Sequence, residues 1–249
     1  MQKVNQQNFL KGVLHLLYPP RCPVCGQLVG TEASIHPECE KKLLYVQEPV
    51  CLKCGKPIQN AAQEYCFDCA RGSSLIDGGI SIWVYTKEMS HSIALYKYHG
   101  RREYAAFYVK KAVELCGDWI LGHAPDCITA VPLNPRKERV RGFNQAMLLA
   151  EGIGEALEIP VDGKLLVRSR YTEPQKELDA ASRMKNLRKA FGPGERAGTY
   201  RSVLLVDDIY TTGSTMKACT AILKENGVQK VWILSLCIGS EQERYSSRV

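Results

Sequence analysis

Seven of the eleven cysteines lie between residues 22 and 69, and six of those seven form three Cys-x-x-Cys pairs. The pairs are Cys22-Pro-Val-Cys25, Cys51-Leu-Lys-Cys54 and Cys66-Phe-Asp-Cys69, with Cys39 standing alone. A two-residue gap lets two thiolates point at one ion while the intervening amides turn inward, an arrangement that suits tetrahedral Zn²⁺. Gly26 and Gly55 follow the second cysteine of two pairs, where a tight knuckle needs a permissive backbone. Cys51, Cys54, Cys66 and Cys69 complete one four-thiolate set. Cys22, Cys25 and Cys39 supply three ligands of another, and the residue three before Cys39 is His36. His-Pro-Glu-Cys therefore reads as a knuckle with an imidazole in place of one thiolate.

Sequential pairing is the reading adopted here, although spacing alone leaves interleaving of the two sets open. A redox centre needs one Cys-x-x-Cys, so three in so short a region point to metal. Two zinc ions with every ligand position filled by protein would be structural and would leave no position open for catalysis. Zinc is worth roughly 10–16 kcal/mol in small finger peptides, the stability that a module of about 50 residues lacks on its own. The other cysteines, Cys116, Cys127, Cys219 and Cys237, lie in apolar stretches and read as buried core thiols.

The 249 residues are 45% apolar and 24% charged, enough for a full core beside a small module and unlike a disordered chain. The net charge of +7 invites polyanions, but a mild excess also fits an ordinary solvated surface. No apolar run approaches the roughly 20 residues of a membrane span. Phe9, Leu10, Val13, Leu14 and Leu17 fall at helical spacing before Pro19-Pro20. They predict a short amphipathic helix that packs on the protein. Gly12 and His15 interrupt this stretch and no small-residue cleavage site follows, so it does not read as a secretory signal. A cytoplasmic protein without membrane contact is expected.

From Gly79 onward the pattern changes. Apolar, β-rich runs at Ile80–Tyr85, Cys127–Leu133, Val203–Val206 and Lys230–Ile238 alternate with helical stretches near 103–121, 142–158 and 214–226, the last ended by Gly227. Near-continuous apolar strands separated by helices predict an α/β fold with a mostly parallel sheet covered on both faces. The expected organisation is a helix over 1–20, a double zinc module over 21–70, a linker near 70–78 and the larger domain over 79–240.

The strongest motif follows the strand at 203–206: Val-Leu-Leu-Val-Asp207-Asp208-Ile-Tyr-Thr211-Thr212-Gly213-Ser214-Thr215. Four apolar residues bury a strand, two carboxylates emerge at its end, and a hydroxyl-rich loop leads into a helix. Backbone N–H groups at a helix N-terminus, with hydroxyls nearby, cradle a phosphate. The carboxylates would repel that phosphate unless they faced sugar hydroxyls or a bound Mg²⁺. A ribose 5-phosphate answers all of these groups at once. The run resembles the phosphoribosyl-diphosphate (PRPP) motif of the type I phosphoribosyltransferases.

Two further segments fit such a ligand. After the run ending near Val131 comes Pro132-Leu-Asn-Pro135-Arg136-Lys137-Glu-Arg139-Val-Arg141-Gly142-Phe143-Asn144-Gln145, with four cations in six residues, which suits a loop holding diphosphate. The segments 168–176 and 183–188 are basic and weakly apolar, as a hood closing over the sugar would be.

Taken in order, the zinc knuckles, Lys97-Tyr-His-Gly100-Arg101, Val-Pro-Leu with Arg-Gly-Phe-Asn-Gln, Thr172-Glu-Pro174-Gln175 and the Asp-Asp-Ile-Tyr-Thr-Thr-Gly run resemble the ComF/GntX family over about residues 10–239. The resemblance implies a double zinc ribbon fused to a type I phosphoribosyltransferase fold, and a link to DNA uptake in competence. It implies that Asp207 and Asp208 hold ribose and that Thr211, Thr212, Gly213, Ser214 and Thr215 hold the 5-phosphate. Pro135, Arg136 and Lys137 would form the diphosphate loop, with magnesium accompanying PRPP. His36 stands where many relatives have cysteine.

Two functions of different class follow. One is a phosphoribosyltransferase with an unknown acceptor, since no acceptor site is recognisable and position 2 is Gln rather than a glutaminase cysteine. The other is a competence accessory protein that binds single-stranded DNA, works beside partners such as a DNA-translocating helicase and keeps a PRPP or phosphate pocket. Tyr96, Tyr98 and Tyr104, interleaved with basic residues, would stack bases in that second reading. Packing against the sheet is the preferred role for them.

Overall fold

The computed structural model describes residues 19–30, 33–72, 75–168 and 190–239. The expected N-terminal helix, apart from Pro19 and Pro20, and the expected hood, apart from Arg168, lie outside the described residues. Strands β1 (Gly78–Val84), β2 (Cys127–Ala130), β5 (Ser202–Tyr210) and β6 (Lys230–Ile238) make one sheet in the order β1-β6-β5-β2. All three pairings are parallel. Strands β3 (Leu166–Val167) and β4 (Gly192–Pro193) form a small antiparallel pair.

Seven helices complete the described residues. Two short ones, α1 (Pro37–Glu40) and α2 (Phe67–Ala70), lie among the N-terminal cysteines. The rest are α3 (Lys87–Tyr98), α4 (Tyr104–Gly122), α5 (Pro135–Arg141), α6 (Gln145–Leu157) and α7 (Ser214–Glu225). None is long and apolar enough to cross a membrane. The two central strands, β5 and β6, are buried on both faces, which is why their sequences are continuous apolar runs rather than alternating ones. One core joins Leu204, Val206 and Leu234 to α4 and α6; the other joins Val203, Leu205 and Ile233 to α7. Cys116, Cys127, Cys219 and Cys237 are buried in these cores, as expected.

The cysteine-rich region straddles the β1 edge of the sheet. Cys22, Cys39, Ile35 and Leu43 join the core that holds Trp83 and Phe107, whereas Cys51, Cys54, Cys66 and Cys69 join the one that holds Ile233 and Met216. Between them, the chain crosses the edge strand. Val46 N–H donates to the Ile82 carbonyl at 2.9 Å and Val84 N–H to that of Leu44 at 2.8 Å, covering an edge that would otherwise expose unpaired backbone.

Four features depart from the sequence expectations. Strand β5 continues through Asp207 and Asp208 to Tyr210, because β6 extends beside it and pairs Tyr210 with Ile238. The acids therefore stand within the strand's last turn-ward half rather than beyond it. Pro135–Lys137 opens a helix, not a loop: the Asn134 side chain accepts from Arg136 N–H at 3.0 Å, Pro135 sits at the first helical position and Gly142 ends the helix at φ 83°. Helix α3 was not expected, since its buried face (Met89, Ser92, Ile93, Tyr96) is half polar. Finally, the end of the expected linker is anchored. Asp77 accepts from Lys224 Nζ at 2.6 Å, Lys230 Nζ at 3.2 Å and Val231 N–H at 2.8 Å.

Burial pulls the Asp77 carboxyl up, but Lys224, the Val231 amide and Lys230 outweigh it and hold the group below its usual value. A carboxyl depressed in the folded state stabilises the fold above its unfolded pKa, and that contribution is lost as pH falls through the folded one. Asp77→Ala should cost about 2 kcal/mol at neutral pH, or about 4–8 °C in Tm. The difference between variant and wild type should shrink below about pH 4. Paired thermal melts check this, and a difference independent of pH would contradict it.

Candidate functional site

The structure gathers the cysteines into the two sequential sets. In one, the ligand atoms of Cys22, Cys25, His36 and Cys39 all lie within 4.8 Å of one another; in the other, those of Cys51, Cys54, Cys66 and Cys69 do. Zn–S bonds of about 2.3 Å in a tetrahedron require sulfurs about 3.8 Å apart. Cys54 and Cys66 are 3.7 Å apart. In the first set His36 Nδ1 is 3.3 Å from Cys25 Sγ, while Nε2 is 3.0 Å from the Leu28 carbonyl. A carbonyl can only accept, so Nε2 carries the proton and Nδ1 presents its lone pair to the cluster, the tautomer a metal ligand needs. Gly26 and Gly55 both adopt positive φ, at 72° and 71°, as the knuckles demand.

The two sets differ in setting. Cys25 is exposed and His36 half-buried, whereas all four sulfur ligands of the second set are buried. Beside that second set, the Tyr210 hydroxyl is buried with no hydrogen-bond partner, and Cys54 is its neighbour. A thiolate held by zinc would supply the acceptor that this phenol lacks. The residues fit the metal.

The second candidate site lies at the carboxyl end of the sheet. Ala130 pairs with Val206, and β2 stops there, so residues after Val206 are paired only on the β6 side. Successive side chains of a strand point to opposite faces. Asp208 is 4% exposed and meets α3, where Lys97 Nζ lies 2.7 Å from Oδ2. The approach is an ion pair outside hydrogen-bond directions, which leaves Oδ2 without an aligned donor. Asp207 faces the other side, toward Arg168, and its Oδ1 accepts the Asp208 N–H at 2.9 Å. Burial, with the Asp208 carboxylate next to it, pushes the Asp207 carboxyl above its usual range.

Beyond the acids the chain turns into α7. Thr211 and Thr212 are exposed, Gly213 takes φ 70°, and Ser214 and Thr215 are half-buried in the first helical turn. Thr212 and Ser214 hydroxyls are 2.8 Å apart, and no acidic residue sits in that turn. The first N–H groups of a helix have no intrahelical acceptors and stand at the positive end of its dipole, so this turn favours an anion. A side chain at 213 would collide with the Tyr210 hydroxyl, so glycine is required by space as well as by φ. Helix α5, with Pro135, Arg136 and Lys137 exposed in its first turn, leaves the sheet at the same end from the neighbouring strand.

Tyr96 and Tyr104 are buried and pack the core, as preferred; Tyr98 is 69% exposed, with the Arg141 guanidinium 5.1 Å from its ring. Sequence reasoning missed two lysines. Lys97 was visible only as part of a familiar string. Lys56, 2% exposed, donates to Asp68 Oδ2 and to the Thr211 carbonyl, each at 3.3 Å, a contact across 155 positions that no local pattern signals.

Residues 13–70 match the double zinc ribbon domain family, and residues 142–248 the phosphoribosyl transferase domain family. The DNA utilization protein YhgH of Salmonella typhi is 30% identical over 219 residues, covering 87% of this chain and 89% of that protein. The chain belongs to the ComF family. Competence protein F of Haemophilus influenzae is 29% identical over 222 residues, 87% of this chain and 96% of that one. Competence protein ComFC of Bacillus subtilis is 26% identical over 206 residues, 80% and 82% of the two chains. As a ComF-family member, the chain joins a double zinc ribbon to a phosphoribosyltransferase-type α/β domain. The transferase match begins at α6, so β1, α3, α4, β2 and α5 precede it.

Purified protein should carry two zinc ions per chain by elemental analysis. Cys51→Ser should lose one ion and most of the cooperativity of unfolding, because a buried ligand set cannot recruit water readily. His36→Ala should keep its three thiolates and release zinc to a chelator about 10-fold or more faster than wild type. Fewer than one zinc per chain in wild type would refute the two-site reading.

Proposed function

We propose that this ComF-family protein binds PRPP with Mg²⁺ at the carboxyl end of its sheet and transfers or senses the phosphoribosyl group. The observation that carries this reading is the β5–α7 junction: two carboxylates on a buried strand, followed within seven residues by an acid-free helix N-terminus ringed with hydroxyls. In this reading the N–H groups and hydroxyls of Thr211–Thr215 hold the 5-phosphate. Asp207 and Asp208 accept from the ribose hydroxyls. Arg136 and Lys137, at the start of α5, face the diphosphate. Mg²⁺ accompanying PRPP would offset the charge of the diphosphate, with Asp207 and Asp208 the carboxylates nearest to it in this reading. Any transfer would proceed as diphosphate leaves the anomeric carbon, its growing negative charge met by fixed cations. Lys97, 2.7 Å from its Oδ2, would hold the Asp208 side chain in place. Eleven unpaired cysteines, seven of them suited to zinc, fit a reducing cytoplasm.

A second reading has its own support. Arg136, Lys137, Arg139 and Val140 are exposed on α5, and Arg141 stacks on the exposed Tyr98. Cations beside an open aromatic ring suit single-stranded DNA, and relatives carry the names competence protein and DNA utilization protein. This surface would serve DNA uptake, with or without turnover of PRPP.

Thermal shift separates these readings. At about 100 times its Kd, PRPP with Mg²⁺ should stabilise wild type by about 2.7 kcal/mol, several degrees in Tm. Asp208→Asn keeps the shape and should weaken PRPP about tenfold or more, and the double Asn variant should not respond. Ribose without phosphate should give no shift. A wild type indifferent to PRPP would overturn the site.

For DNA, the affinity for single strands should fall with salt by a slope of about −0.7 per neutralised phosphate in log–log form. Replacing Arg136 and Lys137 with Ala should flatten that slope by about 1–1.5. An affinity indifferent to salt would dismiss the basic surface.

A further inference from the structure

Lys56 follows the second metal pair directly and is one of the most buried side chains of the molecule, at 2% exposure. Its backbone is fixed by the knuckle: Gly55 N–H donates to the Cys51 carbonyl and Cys51 N–H to that of Lys56, both at 2.8 Å. Its ammonium bridges Asp68, which lies between Cys66 and Cys69, and the Thr211 carbonyl, which opens the phosphate turn. In a trans peptide the C=O and the following N–H point to opposite sides. A Thr211 carbonyl turned toward Lys56 therefore turns Thr212 N–H away from the ribbon, to the side where the turn is open. Released, the same carbonyl would be free to swing toward the bound phosphate and repel it.

A neighbouring contact acts on the same turn. The Tyr210 hydroxyl sits beside Cys54 with no other partner, and the missing side chain of Gly213 makes room for it. Residues 210 and 211 thus rest on the metal knuckle, and Gly213 leaves the space that the Tyr210 hydroxyl occupies.

We propose that Lys56 is a positioning residue for the phosphate turn, through which the second zinc ribbon sets the affinity of the 5-phosphate subsite. The proposal rests on the PRPP reading above. It assigns the ribbon a role in ligand binding and couples its metal to the ligand: whatever zinc does for phosphate affinity, phosphate must do for zinc retention.

The test uses the zinc-loaded full chain and three probes: PRPP with Mg²⁺, ribose 5-phosphate, and magnesium diphosphate, each by calorimetric titration. Lys56→Met keeps the length and apolar stem while removing the charge. It should retain two zinc ions per chain and bind PRPP and ribose 5-phosphate about tenfold more weakly, one charge-assisted hydrogen bond's worth. Magnesium diphosphate, which the α5 side would hold, should bind unchanged. Equal affinity of variant and wild type for ribose 5-phosphate would overturn the proposal, as would an equal loss for diphosphate, which marks general damage. A wild type that binds none of the three defeats the PRPP reading itself.

Should Lys56→Met fail to fold, wild type alone still decides. Ribose 5-phosphate at saturation should tighten the retention of one of the two zinc ions, in an equilibrium competition with a chelator, by about the factor that removing that zinc lowers phosphate affinity. The same equilibrium share of zinc lost to the chelator with and without it would refute the coupling.

Discussion

Four sulfur ligands within 4.8 Å, all buried, cannot remain together as thiolates without a cation among them. That electrostatic demand governs the second ribbon and, through it, much of what lies around. With zinc in the cluster, the knuckle becomes a rigid body whose outer surface is apolar enough to serve as core. It is used that way: Cys51, Cys54, Cys66 and Cys69 share a cluster with Val203, Leu205, Met216 and Ile233. Gly55 lies so close to β1 that a side chain there would come within 2.6 Å of the Gly79 carbonyl. Gly78 and Gly79 are equally crowded, by Trp232 and Ile233. The ribbon is packed into the larger domain rather than tethered to it, and Asp77 pins the connecting chain.

The first ribbon meets the same demand less completely, and its position explains why. Cys25 is exposed, and one thiolate is replaced by an imidazole that is neutral as a ligand. Three thiolates and one neutral nitrogen around Zn²⁺ carry one negative charge less than four thiolates. The ribbon's inner side instead gains from apolar packing, with Ile35 and Leu43 against the core that contains Trp83 and Phe107. Lys111, on α4, pairs with Glu40 of α1 at 2.7 Å and fixes the outer corner. Straddling the edge strand thus gives each ribbon its own anchorage on one face of the sheet.

Legibility in the sequence followed the range of the interactions. The ligand sets could be read because a knuckle is local, and His36 could be placed by its three-residue distance from Cys39. The four strands of the parallel sheet and the helices α4, α6 and α7 could be read because continuous burial and helical spacing leave marks within a dozen residues. The extension of β5 to Tyr210 could not, since it depends on β6 running alongside to Ile238. Helix α5 was legible in principle: Asn134-Pro135 is a helix-opening pair and Gly142 a stop, but four cations drew the reading toward a loop. Lys56 and Lys97 lay beyond reach. Their partners, Thr211 and Asp208, come from distant sequence, and a lysine carries no mark that it is buried.

Under the proposed PRPP reading, the charge arrangement at the end of β5 would reconcile acids with a ligand that carries phosphate at both ends. Two adjacent carboxylates would set up a field against any such polyanion. Here Lys97 cancels Asp208 from one face, and burial together with that neighbour favours the protonated form of Asp207 on the other. The strand end is thus less negative than its two adjacent acids suggest. On either side stand positive ends: the first turn of α7, and the cations of α5 next to β2. An incoming polyanion would meet that positive rim first. In the proposed PRPP reading, the carboxylates would engage only once a hydroxyl or a cation arrives to face them, which would favour a ligand that brings both phosphate and sugar into this one corner of the sheet.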